Sequence, residues 1–361
     1  MKAAPVMQAL ARYDGVRQTL IHTGQHYDAN MSEVFFRQLG MPQPDVNLAV
    51  GSGSQTRQTA EIISRFEPVV LESKPDLVLV YGDLNSTMAA ALVCAKLLIP
   101  VEHVEAGLRS FDRTMPEEVN RLITDQIADL LFTASKDGDR NLLREGMAPE
   151  KIHLVGNVMI DTLVRLLPKA LTRRPVQCLG AALSVLSTAK GGECEEFRLK
   201  RYGLITLHRP SNVDDPTLLA RIMAALNDIS RDLLLIFPIH PRIRQKSKGS
   251  QFTISNSQLY FVDPLGYLDF LALQRYATLV ITDSGGIQEE TTYLGVPCLT
   301  VRENTERPVT TTLGTNILIG RYMERLRIEV IRILAGNGKQ GQVPPLWDGH
   351  AAERIAAAIM T

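Results

Sequence analysis

The sequence predicts two doubly wound α/β domains, each a parallel sheet covered by helices on both faces. Three observations carry that reading. Short β-rich apolar runs alternate with helical patterns almost throughout. The 361 residues suit two domains of ~150 residues, each large enough to bury its own core. Two similar blocks flank Lys169–Tyr202, a stretch of unclear period that carries Arg173-Arg174-Pro175 and Lys190-Gly191-Gly192-Glu193 and reads as a partly helical, partly mobile insertion at the domain junction.

Taken in order, the chain opens in a helix, Lys2–Tyr13, with no strand before it. Strands are expected at Gln18–Thr23, Leu77–Tyr81, Val101–Val104, Leu131–Ala134 and Ile152–Val155, with helices such as Thr87–Leu98 and Pro116–Asp129 between them. In the second block the strands fall at Leu204–Leu207, Leu233–Phe237, Leu259–Val262, Thr278–Thr282 and Cys298–Val301. Helices at Asp214–Ser230, Tyr267–Arg275 and Ile287–Leu294 separate them. The expected domains are 1–160 completed by 350–361, a junction 161–202, and 203–349.

Composition removes several classes of function. Lys plus Arg (39) equals Asp plus Glu (39), so no global field recruits nucleic acid or an anionic membrane, and any anionic ligand must be held by a few placed donors. The longest apolar stretch, Met88–Val101, contains Lys96 and falls short of the ~18 residues of a spanning helix. Gln8, Arg12 and Asp14 break any signal-like apolar core. Cys94, Cys178, Cys194 and Cys298 show no metal-ligand spacing and read as structural thiols in a reducing compartment, hence a cytoplasmic protein with no metal.

In open α/β sheets, ligands bind beyond the carboxyl ends of the strands, so polar residues there carry most weight. Asp83 follows the second strand through Gly82, Glu105 follows the third, and Glu117 lies just after Pro116 in the first turn of a helix. Several carboxylates on one sheet edge suit general acid–base work. Each has a plainer reading too: Asp83 could cap the next helix, and Glu117 could complement a helix dipole. His208, with Arg209-Pro210 after it, ends a strand of the second block and could be structural or functional. Asp283-Ser284-Gly285-Gly286-Ile287-Gln288-Glu289-Glu290 runs from a β-branched strand into a helix that ends at Gly295. Paired glycines let backbone N–H groups and the helix dipole approach a phosphate, and Glu290 could accept from ribose hydroxyls. Arg307, on the loop after the next strand, is placed to add a charge-assisted contact.

These residues, with Tyr81-Gly82-Asp83, His103-Val104-Glu105-Ala106-Gly107-Leu108-Arg109, Pro116-Glu117-Glu118-Val119-Asn120-Arg121 and Thr305-Glu306-Arg307-Pro308, resemble the non-hydrolysing UDP-N-acetylglucosamine 2-epimerase family in order and spacing. The likeness spans nearly the whole chain and is weakest in Lys169–Tyr202. It implies two Rossmann-like domains facing a cleft, as in B-type glycosyltransferases, with the helix Ala351–Met360 returning to the first. It implies reversible conversion of UDP-N-acetylglucosamine to UDP-N-acetylmannosamine in a homodimer, with no redox cofactor. Asp83, Glu105 and Glu117 take the carboxylate roles there, and His208 lies near the phosphates or sugar. Ser284, Gly285, Gly286 and Arg307 hold the diphosphate, Glu290 the ribose, and Phe270 with the backbone near Leu265 the uracil; Lys2 and Arg209 complete the substrate contacts.

Two departures accompany the likeness. Family members carry a strand and a Gly-Thr-Arg-Pro-Glu turn just before the position that Lys2 matches; the sequence starts after that turn, so the expectation is that this strand, which would lie inside the first sheet beside Gln18–Thr23 and Leu77–Tyr81, and the family's phosphate-contacting Arg are missing. Gln25-His26-Tyr27-Asp28 matches only part of a region where some members bind a second UDP-sugar. Three other readings stay open: a 2-epimerase of a modified UDP-sugar, a B-type glycosyltransferase, and a UDP-sugar-binding protein without activity.

Overall fold

The computed structural model describes residues 1–24, 36, 38–173, 201–239 and 258–361. Gln25–Asp28, Cys178, Cys194 and most of Lys169–Tyr202 therefore lie outside the described residues. The chain divides into two compact units, Met1–Arg165 with Pro345–Thr361, and Leu166–Pro344. Each is an α/β unit of Rossmann type.

In the first unit, a four-stranded parallel sheet has the order β3 (Val78–Tyr81), β4 (Val101–Ala106), β5 (Leu130–Thr133), β6 (Ile152–Leu154). Among the described residues β1 (Ile21–His22) pairs with β2 (Val46–Asn47) alone, as a separate parallel pair. The region expected as the strand Gln18–Thr23 is thus joined to β2 and not to β3. Strand periodicity puts Val104 and Phe132 on one face, against Val6 and Leu10 of α1 (Ala3–Leu10) and Ile355 of α13 (Ala351–Ile359). Val101 and Leu131 face the other way, onto Phe66 of α2 (Gln55–Ser73) and Cys94 of α3 (Asn85–Lys96). Asp161 of α6 (Val158–Leu171) accepts from the Ala351 and Ala352 N–H groups at 3.2 and 2.6 Å, which satisfies the first turn of the returning helix α13.

The second unit is a six-stranded all-parallel sheet of order β12 (Asn316–Leu318), β11 (Cys298–Thr300), β10 (Leu279–Thr282), β7 (Tyr202–Thr206), β8 (Leu234–Pro238), β9 (Leu259–Val262). The strand order reverses between β7 and β10, and such a switch point opens a crevice where ligands bind. Ile205 and Ile281 pack with α8 (Pro216–Ile229) and α12 (Met323–Leu334) on one face. Leu204 and Val280 pack against α9 (Tyr267–Tyr276) and α10 (Gly285–Leu294) on the other. The helix expected over Asp214–Ser230 is α8, and a short helix that was not expected, α7 (Pro210–Val213), precedes it. Pro216 has no N–H to continue a helix and suits the first position of a new one, which Asp215 caps by accepting from Thr217 and Leu218 N–H at 2.9 and 3.2 Å. No helix among the described residues is long and apolar enough to cross a membrane.

Candidate active site

β4 is buried along its whole length although it carries Glu102, His103 and Glu105. A strand buried on both faces normally reads as a near-continuous apolar run, so its polar residues need a reason. Glu105 does not follow the strand, as its spacing suggests, but lies within it, at a register irregularity between Val104 and Ala106 and with φ of +76°. A non-glycine residue held there costs of order 1–3 kcal/mol, the kind of strain that clusters at functional sites. The bulge aims the Glu105 carboxylate at the ammonium of Lys2, with which it forms an ion pair. Gly82 makes room for that pair: a Cβ there would meet the Lys2 Nζ and, at 3.2 Å, the Glu105 Oε2.

Asp83 does not cap α3, which begins after Leu84 without a side-chain cap. Its carboxylate instead accepts from Arg121 Nε and Nη2 at 3.0 and 2.8 Å, while Asn120 Nδ2 donates to its backbone carbonyl at 3.0 Å. Asn120 and Arg121 lie on α4 (Pro116–Ile127), whose first turn carries Glu117. Glu117 is half-buried and has no hydrogen bond or ion pair to the described residues. Its neighbour Glu118 is buried and structural: it takes Arg121 Nη1 at 2.5 Å and the Ser110 and Phe111 N–H groups at 2.9 Å, fixing the turn after Glu105. The first unit therefore gathers Lys2, Asp83 and Glu105 at the carboxyl ends of β3 and β4, with Glu117 on the helix that holds Asp83.

In the second unit the residues after β7 and β10 meet at the switch point. Buried Asp283 accepts from the His208 and Arg209 N–H groups at 3.1 and 3.0 Å, from Asn212 Nδ2 at 3.1 Å, and faces His208 Nδ1 at 3.1 Å. Burial opposes its charge, but His208 and these donors hold its carboxyl below the usual carboxylate range. His208 itself is exposed and its ring is oriented by Asp283. Helix α10 starts at Gly285, two residues earlier than expected, so that Ser284 is its N-cap and Gly285 and Gly286 form its first turn. Gly285 is required by a close approach: a Cβ would lie 2.5 Å from Arg307 Nη1 and 3.0 Å from Glu306 Oε1. The Arg307 guanidinium thus lies directly on the amino end of a helix, a place that already favours an anion.

Three guanidinium groups converge there on one carboxylate. Glu306 accepts from Arg302 at 2.7 Å and Arg307 at 2.7 Å and pairs with Arg209 at 3.5 Å, while Arg307 Nε also faces Glu289 at 2.9 Å. Guanidinium donors set beside the first turn of α10 are the parts from which an anion site is made. Thr305 and Asn316 both donate to Gln288 Oε1, at 2.7 and 2.9 Å, and pin the arginine loop to α10. Tyr267 OH donates to Glu290 Oε1 at 2.9 Å. Burial, and then the Glu289 charge, push the Glu290 carboxyl up to about 7, against the pull of the Tyr267 hydrogen bond. Leu265 and Phe270 are half-buried against the core beside α9, at the end where Phe270 N–H donates to Gly266 O.

Arg121, Glu118 and Glu306 stand within the motifs read from the sequence but had no role assigned there, Arg302 had none either, and Asp125 lies outside every motif. Helical spacing was the signal available: Arg121 and Asp125 share one face of α4 with Glu117.

Comparison with known proteins identifies the family. A family model described as UDP-N-acetylglucosamine 2-epimerase matches residues 8–360. The UDP-N-acetylglucosamine 2-epimerase of Methanocaldococcus jannaschii is 41% identical over 366 residues, covering 99% of this chain and 95% of that one. The UDP-2,3-diacetamido-2,3-dideoxy-D-glucuronate 2-epimerase of Pseudomonas aeruginosa is 38% identical over 359 residues, covering 99% and 95%. The crystal structure of the Methanocaldococcus jannaschii UDP-GlcNAc 2-epimerase in complex with UDP-GlcNAc and UDP matches with a TM-score of 0.86 at 40% identity, over 99% of this chain and 96% of that one. The chain belongs to the UDP-N-acetylglucosamine 2-epimerase family.

Proposed function

We propose that the protein interconverts UDP-N-acetylglucosamine and UDP-N-acetylmannosamine by inverting sugar C2. The observation that carries this reading is the division of labour between the units, carboxylates in one and an anion site in the other, within a family match spanning 8–360. A carboxylate among Asp83, Glu105 and Glu117 takes the C2 proton while the C1–O bond breaks and UDP leaves on the opposite face. The product is a glycal, with the electron pair of the C–H bond now in the C1–C2 double bond. UDP then re-adds to C1 and a proton to the other face of C2. The sequence is redox-neutral. Between the two halves, UDP must stay bound as leaving group and returning nucleophile, which is work for Arg307, Ser284 and the N–H groups of Gly285 and Gly286. Arg209 and His208 stand beside them, Glu290 takes the ribose, and Phe270 with the Leu265 backbone takes the uracil. The protein is expected to work as a cytoplasmic homodimer.

In deuterated water, the protein should place solvent deuterium at C2 while forming the second epimer, as followed by NMR. Release of free N-acetylmannosamine without UDP-N-acetylmannosamine would move it to a hydrolysing class. The Pseudomonas aeruginosa relative supports a second reading, a 2-epimerase of the diacetamido uronic acid sugar. Exchange on that nucleotide sugar and none on UDP-N-acetylglucosamine would decide for it.

Glu290 provides a pH test of the ribose assignment. Two ribose hydroxyls donating to one carboxylate need it ionised, and a group with a pKa of about 7 is mostly protonated at pH 6 and mostly ionised at pH 8. The ratio of UDP affinity in wild type to that in Glu290→Gln should rise ~10-fold from pH 6 to pH 8. Taking the ratio cancels the ionisation of UDP itself. Calorimetric titrations giving a flat ratio would remove Glu290 from the ribose.

A further inference from the structure

Behind the carboxylates lies a buried charge network that the reaction itself does not use. His103, fully buried in β4, places Nδ1 2.6 Å from Asp125 Oδ1 and Nε2 2.8 Å from the Gly82 carbonyl oxygen. Both partners are acceptors, so each ring nitrogen stands where an N–H can be received. The other oxygen of Asp125 accepts from the Gly107 N–H at 3.1 Å and faces Arg109 Nη1 at 2.7 Å. Burial opposes the Asp125 charge, but His103 and then Arg109 hold its carboxyl below the usual range. Arg109 is in turn gripped by Glu145 at 2.8 and 2.6 Å. Burying such a set is a poor way to gain stability, because desolvation consumes most of the attraction.

We propose that His103 and Asp125 are a positioning pair for the epimerisation proposed above, on which reading this inference rests. Gly82 is fixed on both sides: its N–H donates to Val104 O at 3.0 Å, and its carbonyl accepts from His103. The peptide plane from Gly82 to Asp83 is therefore set by the His103 ring. Asp125 does the same for Gly107, two residues beyond Glu105 and its left-handed backbone. One helical turn before Asp125, Arg121 holds the Asp83 carboxylate. The pair thus locks the turn that carries Asp83 and the end of β4 that carries Glu105 to the helix that carries Glu117. A displacement of about 1 Å in such groups costs on the order of 10²-fold in rate.

The test uses the two amides that mimic the two ring nitrogens. The amide nitrogen of His103→Asn takes the place of Nδ1, keeping Asp125 and losing Gly82. That of His103→Gln takes the place of Nε2, keeping Gly82 and losing Asp125. His103→Asn should lower kcat by ~10²-fold with UDP affinity unchanged, and His103→Gln should recover ~10-fold of it. In an Asp83→Asn background, His103→Asn should cost less than about 3-fold more, because the group it positions is already disabled. Equal losses in the two amide variants, or full additivity with Asp83→Asn, would overturn the proposal and leave a merely structural network. Should the variants fold poorly, NMR of the wild-type ring decides: a ring N–H hydrogen-bonded to the Gly82 carbonyl is expected, and a ring without that bond overturns the pair. A wild type that exchanges no C2 deuterium would instead strike the proposed function, with the ring spectrum still open to reading.

Discussion

Asp83→Asn, Glu105→Gln and Glu117→Gln should each lower turnover by ~10² or more while UDP affinity changes little. The three are not equivalent, and their surroundings say how they should differ. Glu117 has no partner among the described residues, so its amide removes proton chemistry alone and should leave the thermal melt in place. Asp83→Asn also removes the carboxylate that accepts two guanidinium hydrogen bonds from Arg121, although Glu118 still holds that side chain. Losing a charge-assisted pair of this kind costs about 1–3 kcal/mol, so part of its effect should appear as a lower Tm. Glu105→Gln breaks the ion pair with Lys2 in a strand that already holds strained backbone. UDP affinity should survive in all three because the anion site is built from the other unit. Turnover, C2 deuterium exchange, calorimetric UDP binding and thermal melts on the same samples separate these effects. Wild-type turnover in all three variants would remove the proposed chemistry.

The α/β character and most strands were legible because parallel strands buried on both faces are short apolar runs that periodicity marks plainly. β10 and β11 were found within a residue or so, at Leu279–Thr282 and Cys298–Thr300. What escaped were elements whose burial is set by distant neighbours. β2 is two residues, Val46–Asn47, with one exposed, and β12 begins at Asn316, a polar residue buried by hydrogen bonds to Gln288 and Thr300. Both are too short for the period of a strand to show. Glu105 is the instructive failure of register: a strand was expected to stop before it, since a carboxylate inside a buried strand is costly. The bulge and Lys2, some hundred residues away in sequence, make that position possible, and neither is visible in the local pattern.

At the site, the residues that touch the proposed substrate were easier to read than those that hold them. Gly285 announces itself, since a glycine pair opening a helix after a β-branched strand has a direct physical purpose. Asp283 was quoted only as the start of that motif, yet it orients His208 and Arg209 through their backbone N–H groups. Asp125 lay outside every motif and appears only once α4 is folded against β4. Supporting groups of this sort act through contacts between elements, so a linear pattern carries almost no trace of them.

Removing Glu306 should weaken UDP binding even though it makes the site more positive. By net charge alone, Glu306→Gln leaves Arg209, Arg302 and Arg307 with a smaller negative counterweight and ought to attract a diphosphate more strongly. Charge is only part of the site, however. Glu306 is the carboxylate on which all three guanidinium groups converge, and without its charge they repel one another across a few ångströms of buried space. Arg307 would keep Glu289 at its Nε but lose the contact at Nη1 that lays it along Gly285. Fixed donors bind an anion better than mobile ones because no reorganisation is needed when it arrives. Arg307→Ala, which deletes a charge-assisted contact outright, should weaken UDP by about 10- to 100-fold, the equivalent of 1.5–3 kcal/mol. Glu306→Gln should weaken it by about 10-fold, with Arg307→Lys between the two because an ammonium cannot serve Glu289 and Glu306 from one plane. Calorimetric titrations at low and at physiological salt read both the affinity and its charge dependence. Tighter UDP binding by Glu306→Gln at both salt concentrations would mean that field outweighs geometry, and that Glu306 holds the loop together without preparing it for phosphate.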